Sequence, residues 1–104
     1  MAGVFEELAG LDRLIHEPAR LAMMTALSVV QSANFTALQR LTGLSVGNLS
    51  NHLAKLEAAG LVQVEKGFDH KRPKTKVFLT IQGKQAIDEH WRRLETLRLD
   101  SQNW

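Results

Sequence analysis

Lys66, Lys71, Arg72, Lys74 and Lys76 fall within the run VEKGFDHKRPKTKVFLT, set around one glycine and one proline and leading straight into alternating apolar residues. Cations at that density suit one kind of chemistry: they meet phosphates, as point charges from lysine and as a planar fork from arginine. At the tip of a hairpin they, with His70, would reach an anionic backbone; an ordinary solvated loop would carry the same charges. Upstream, Ser45, Gly47, Asn48, Ser50, Asn51, His52 and Lys55 form a second set that is small, polar and barely charged at its N-terminal end. Asn48 and Asn51 are candidates for bidentate pairing with adenine in a major groove about 12 Å wide, and Gly47 permits close approach. Ser45, Ser50 and His52 suit phosphate contacts, although a plain solvent-facing helix side has the same composition.

Other chemistry finds little support. The chain has four histidines and no cysteine, so thiolate metal sites, disulfides and a cysteine nucleophile are excluded. His16 precedes a helix start, His52 lies in the polar cluster, His70 in the basic run, and His90 follows Asp88 and Glu89. Asp88 and His90 are two residues apart and do not share a helical face. A phosphate-cradling glycine loop and a nucleophile elbow are both missing, and Ser28, Ser32 and Ser45 lack an obvious base partner. The expectation is a binding protein, not an enzyme, with no metal and no cofactor.

Elements must hold these clusters in place. Val4, Phe5, Leu8, Leu11, Leu14 and Ile15 recur at helical spacing, predicting a first helix over about residues 2–15 that is too apolar to stand alone. Pro18 is tolerated in a first helical turn, so a second helix is expected from about Glu17 to Ser32, burying Leu21, Met24, Leu27 and Val30. Thr36 and Gln39 have capping-box spacing before a short helix, Ala37 to Thr42. Gly43 breaks it, Ser45 caps the next helix, Val46 to Ala59, and Gly60 ends that helix in a left-handed conformation. Val46, Leu49, Leu53 and Leu56 turn one face of this helix to the core, leaving the polar set outward. Leu61, Val62 and Val64 read as a strand, with Val77, Phe78, Leu79 and Ile81 as its return and GFDHKRPKT as the connection. Thr80 caps a last helix over about residues 82–99, with Ile87, Trp91 and Leu94 on one face. The fold class is mainly α with a small β-hairpin, a winged helix-turn-helix over a single domain, 1–104.

With 104 residues and 44% hydrophobic content, the chain has enough apolar surface for a small core that a second subunit would strengthen. Net charge is only +2, so the positive field is local to Lys55–Lys76. No apolar run reaches the roughly 18 residues of a membrane span, and MAGVFEELAG lacks the basic and apolar regions of a secretory signal. A soluble cytoplasmic protein without membrane contact is expected.

LTGLSVGNLSNHLAKLEAAGLVQVEKG followed by KRPKTKVFLTIQG, with LDRLIHEPARLAMMTAL before them, resembles small bacterial and archaeal winged-helix transcriptional regulators related to the MarR and ArsR groups. The resemblance covers about Leu11 to Leu97. It implies double-stranded DNA as partner and a two-fold homodimer built from the terminal helices, for which Phe5, Leu8, Leu11, Trp91, Leu94 and Leu97 are the candidates; both helices closing a monomer core is the alternative. Two recognition helices about 34 Å apart would then favour a palindromic operator, with repression by occupancy. The resemblance also implies a structural role for Asp69, which pairs with Arg72 or Lys71, and an unidentified small-molecule effector between the end helices as in many MarR relatives. Metal-sensing ArsR relatives use cysteine pairs that this chain lacks. Arg72 is the first candidate for minor-groove insertion, Pro73 stiffens the tip, and Phe68 is expected to pack under the wing. Trp104 either is disordered or caps a partner subunit. A protein module docking its basic face on an acidic partner is the rival reading.

Overall fold

The computed structural model describes residues 3–104; residue 2, within the expected first helix, lies outside them. The order is α1 (Val4–Ala9), α2 (Pro18–Val30), β1 (Ser32–Asn34), α3 (Phe35–Thr42), α4 (Val46–Ala58), β2 (Val62–Asp69), β3 (Arg72–Leu79) and α5 (Ile81–Ser101). Among the described residues, five helices pack with a three-stranded antiparallel sheet of order β1-β3-β2, which is the winged-helix arrangement.

The helices α2, α3, α4 and α5 each start at a side chain that accepts from free amides, whereas α1 begins after Gly3 without one. Glu17 accepts from the amides of Ala19 and Arg20 in front of Pro18. Ser45 and Thr80 cap α4 and α5 through the amides of Asn48 and Gly83, as their sequence positions indicate. The cap of α3 is Asn34, accepting from Ala37 at 2.7 Å, and not Thr36, which lies inside the helix. Beyond α4, Gly60 takes φ +76°, letting the Leu61 amide reach back to the Leu56 carbonyl at 3.0 Å.

Two elements depart from the periodicity. α1 stops at Gly10, and Asp12 folds its carboxylate onto the Leu14 amide at 2.9 Å, so residues 11–16 form an irregular connection. The apolar spacing survives because Leu11 and Ile15 are buried from that connection. Ser32, read as the end of α2, instead opens a third strand, with Ser32, Ala33 and Asn34 opposite Phe78, Val77 and Lys76. Ile81, expected in the return strand, opens α5 and is 78% exposed.

Met23, Met24, Leu27, Leu38, Leu49, Leu53, Leu56, Val62, Val77 and Ile87 make the core between α2, α3, α4, α5 and the sheet. Val30, placed by spacing on the buried stripe of α2, is exposed at the helix end, while Met23 takes its place inward.

Candidate nucleic-acid interface

Leu49, Leu53 and Leu56 seat α4 on the core, and this fixes what the opposite side presents. Ser45, Gly47, Asn48, Ser50, Asn51 and Lys55 are all exposed. Among the described residues, no internal hydrogen bond engages the side chains of Asn48, Ser50, Asn51 or Lys55, so their donors and acceptors face outward unspent. Val46 was assigned to the core face, yet it is 57% exposed; one turn before Leu49 the helix has already left the packed surface.

His52 is a second correction. Its ring does not face solvent with the asparagines but turns toward the start of α2, where its Nδ1 lies 2.9 Å from an Arg20 guanidinium nitrogen. Guanidinium has no acceptor, so Nδ1 must accept and the ring proton must sit on Nε2. Arg20, itself 9% exposed, also donates to the Leu14 carbonyl at 2.6 Å and lies 3.8 Å from Glu17. Burial disfavours the Glu17 charge, but the amides of Arg20 and Ala19, helped by the Arg20 guanidinium, outweigh it and hold the carboxyl below its usual range. Sequence reasoning missed this cluster, although Glu17 and Arg20 stand at the i,i+3 spacing of a helical ion pair. It clamps α4 to the N-terminal half.

The connection read as GFDHKRPKT shortens to two residues. β2 and β3 pair without interruption from Val62 opposite Leu79 to Asp69 opposite Arg72, leaving His70 and Lys71 as the turn. Both have positive φ, 50° and 68°, the pattern of a type I′ hairpin that matches the twist of its strands. The tip is therefore His70 and Lys71, and Arg72 is the first residue of β3.

Directly opposed residues share a face, so the pairing sorts the wing into two sides. Val62, Val64, Val77 and Leu79 pack on the core; further out on that side come Lys66 with Thr75, then Phe68 with Pro73. Lys66, Thr75 and Val64 line a groove with Ser50, Ala54 and Glu57, so this side looks toward α4. The other side carries Glu65 with Lys76, Gly67 with Lys74, and Asp69 with Arg72. Asp69 lies 3.6 Å from Lys74 and 3.5 Å from His70, and its ion partners are these and not Arg72 or Lys71. Lys66, Lys71, Arg72 and Lys76 are exposed and outside the ion pairs found among the described residues. Phe68 is not packed under the wing: it is 79% exposed, because by Phe68 the ribbon has run well past the core.

The end elements divide similarly. Leu11 and Leu97 are buried within the single chain, at 8% and 3% exposure, and so offer no free surface. Leu8 and Leu94 are half-buried. Phe5 is half-exposed and meets Trp104 edge-on at 5.5 Å, tying the two ends of the chain together. Trp91 donates its indole N–H to Thr25 at 2.9 Å and, with Leu94 and Leu99, lines an open apolar depression on α5. The sequence also gave no sign that His16 and His90 meet, Nδ1 to Nε2, at 2.9 Å.

Among the described residues, no helix is long and apolar enough to cross a membrane, and no group of three or more potential ligands could hold a metal ion. Residues 19–97 match the family described as winged helix DNA-binding domain. A transcriptional regulator homologue from Pyrococcus horikoshii superposes with a TM-score of 0.84 at 28% identity, covering 97% of this chain and 98% of that one. An uncharacterized protein of Methanocaldococcus jannaschii is 28% identical over 78 residues, 75% of this chain and 85% of its own length. A MarR-family transcriptional regulator from Silicibacter pomeroyi shares the fold at a TM-score of 0.69 and 24% identity, over 91% of this chain and 61% of that one.

Proposed function

This chain belongs to the winged helix DNA-binding domain family, and from that premise we propose that it is a sequence-specific transcriptional regulator, a homodimer that represses by occupying a palindromic operator. The observation that carries the reading is an unengaged polar face on α4 that shares a groove with a neighbouring wing whose cations are largely free of internal partners. Lys66, Lys71, Arg72, Lys74 and Lys76, with Lys55, supply the phosphate contacts, which release counterions and give affinity its salt dependence. Asn48 and Asn51 read base edges, with Gly47 allowing approach, while Ser45 and Ser50 meet backbone oxygens. His52 acts behind the interface, holding α4 through Arg20. Trp91, Leu94 and Leu99, with Phe5 and Leu8, supply the apolar surface for the second subunit. Binding, not catalysis, is the activity.

The test is fluorescence anisotropy on duplexes from the promoter upstream of the protein's own gene, against scrambled controls and across a salt series. Promoter-selective binding, two chains per duplex and a steep negative slope of log affinity against log salt are expected. Arg72→Ala should weaken binding on every sequence and reduce that slope by about one. Asn51→Ala should instead relax base preference, at about 1–3 kcal/mol of discrimination. Equal, weak affinity for promoter and scrambled duplexes would sink the regulator reading.

A further inference from the structure

Phe68 is a 79% exposed aromatic ring at the outer end of a ribbon whose other exposed side chains there are mostly polar or charged. Four features make it more than a stray apolar residue. It stands directly opposite Pro73, so ring and pyrrolidine form one apolar face at the outer end of the ribbon. That face is the one that continues from the groove beside the recognition helix, through Lys66 and Thr75. The type I′ turn and the uninterrupted pairing behind it fix the backbone that carries the ring, so little backbone freedom is lost when it docks. Finally, Lys66 on the same face and Lys71 at the adjoining tip carry no internal ion partner among the described residues, a setting complementary to phosphate and hostile to another basic or apolar protein surface.

The reach is also right. Phe68 lies six residues beyond the buried Val62, or about 20 Å of extended strand. With α4 in a major groove, a ribbon of that length flanking it arrives over the adjoining minor groove. That groove, about 6 Å wide, admits side chains from a ribbon's end but not the ribbon. Phenylalanine and proline are among the residues that wedge between base steps there.

We infer that Phe68, backed by Pro73, is a non-polar wedge that enters the minor groove beside the major groove read by α4 and partly unstacks one base step, bending the DNA. This rests on the regulator reading and adds a specificity element to it: the step beneath the wing should be a deformable pyrimidine–purine step, TA or CA, and its identity is read through the energy of opening it. Lys66 and Lys71 hold the phosphates on either side while the ring does so.

The experiment uses the full chain and promoter duplexes, first selected by anisotropy, carrying 2-aminopurine at successive steps and a donor–acceptor dye pair at their ends. Wild type should raise 2-aminopurine fluorescence at one step per half-site and shorten the end-to-end distance. Phe68→Ala, a surface change that leaves the melting curve unaltered, should abolish both signals and weaken binding about tenfold, the scale of one lost aromatic–base contact. Phe68→Leu should restore part of the distortion, and replacing the responsive TA or CA step by a stiff AA step should weaken wild type more than Phe68→Ala. Tight binding by wild type with neither signal overturns the wedge and leaves the regulator reading standing. So does a Phe68→Ala variant that distorts DNA as wild type does, or one that loses self-association in sedimentation while keeping the distortion. Failure of wild type to bind any duplex overturns both.

Discussion

At Gly83 the first turn of α5 passes so close to the Leu61 backbone that an added Cβ would overlap the Leu61 carbonyl. The closeness has a cause: Thr80 donates its amide to the Leu61 carbonyl at 3.1 Å and its hydroxyl to the Gly60 carbonyl at 2.6 Å, drawing the helix start onto the end of α4. Two effects compete at this position. Alanine is favoured over glycine in a helix by about 1 kcal/mol, whereas forcing atoms into a filled space costs about 1–3 kcal/mol or more. The obstruction is rigid backbone, so the second wins. Gly83→Ala should lower stability by about 2 kcal/mol and the melting temperature by roughly 10 °C; a thermal melt that rose would disprove the contact. The run LTIQG held that glycine in plain view, because a cap threonine three residues before a glycine is a local pattern. His52 was opaque for the opposite reason: its place on the edge of the apolar stripe is local, but the Arg20 and Glu17 that turn it inward lie more than thirty residues away.

Helix starts and stops were largely readable, since caps and left-handed glycines act within a few residues; Ser45, Thr80, Gly43 and Gly60 do what their types suggest. The sheet was less so. Three residues, Ser32 to Asn34, have no periodicity to detect, and they become a strand only because β3 offers an open edge. The wing looked like a nine-residue loop because Lys66, Asp69, Arg72 and Lys74 hide the alternation of strands exposed on both faces. What makes the turn unusual is its chemistry: His70 and Lys71 occupy left-handed conformations that cost an ordinary residue about 1–2 kcal/mol. Asparagine and glycine adopt them readily. Replacing His70 and Lys71 by Asn-Gly should therefore raise stability by about 1–2 kcal/mol by denaturant titration and yet weaken DNA binding, since one tip cation is removed. A double variant that gained neither stability nor lost affinity would show that the tip is neither strained nor at the interface.

The whole molecule is long for its size, 58 by 25 by 21 Å, with a radius of gyration of 15.7 Å where a compact chain of this length has about 13 Å. The protruding wing and the 21-residue α5 account for the difference. Two polar joints bind α4 and α5 to the N-terminal part of the molecule, and both use the irregular segment between α1 and α2. Arg20 ties its carbonyls at Leu14 and Arg13 to His52 of α4, and His16 ties it to His90 of α5. The second joint is sensitive to acid. His90 is 6% exposed, and burial, together with His16 and Arg93, holds its pKa below the ordinary histidine value, with Asp12 acting in the opposite direction. The folded protein thus binds fewer protons here than the unfolded chain, so this stability is fully present above about pH 6.5 and is lost as pH falls through the lower folded value. A doubly protonated pair would also lose the 2.9 Å bond, which needs one free lone pair. Glu17, also depressed, adds a separate loss only further down, below the ordinary glutamate range. Melts of wild type should accordingly fall in two acid steps, the first beginning near pH 6.5, and His90→Gln should remove the first while leaving the second. An unchanged first step in that variant would move the sensitivity away from the joint between α5 and the α1–α2 connection.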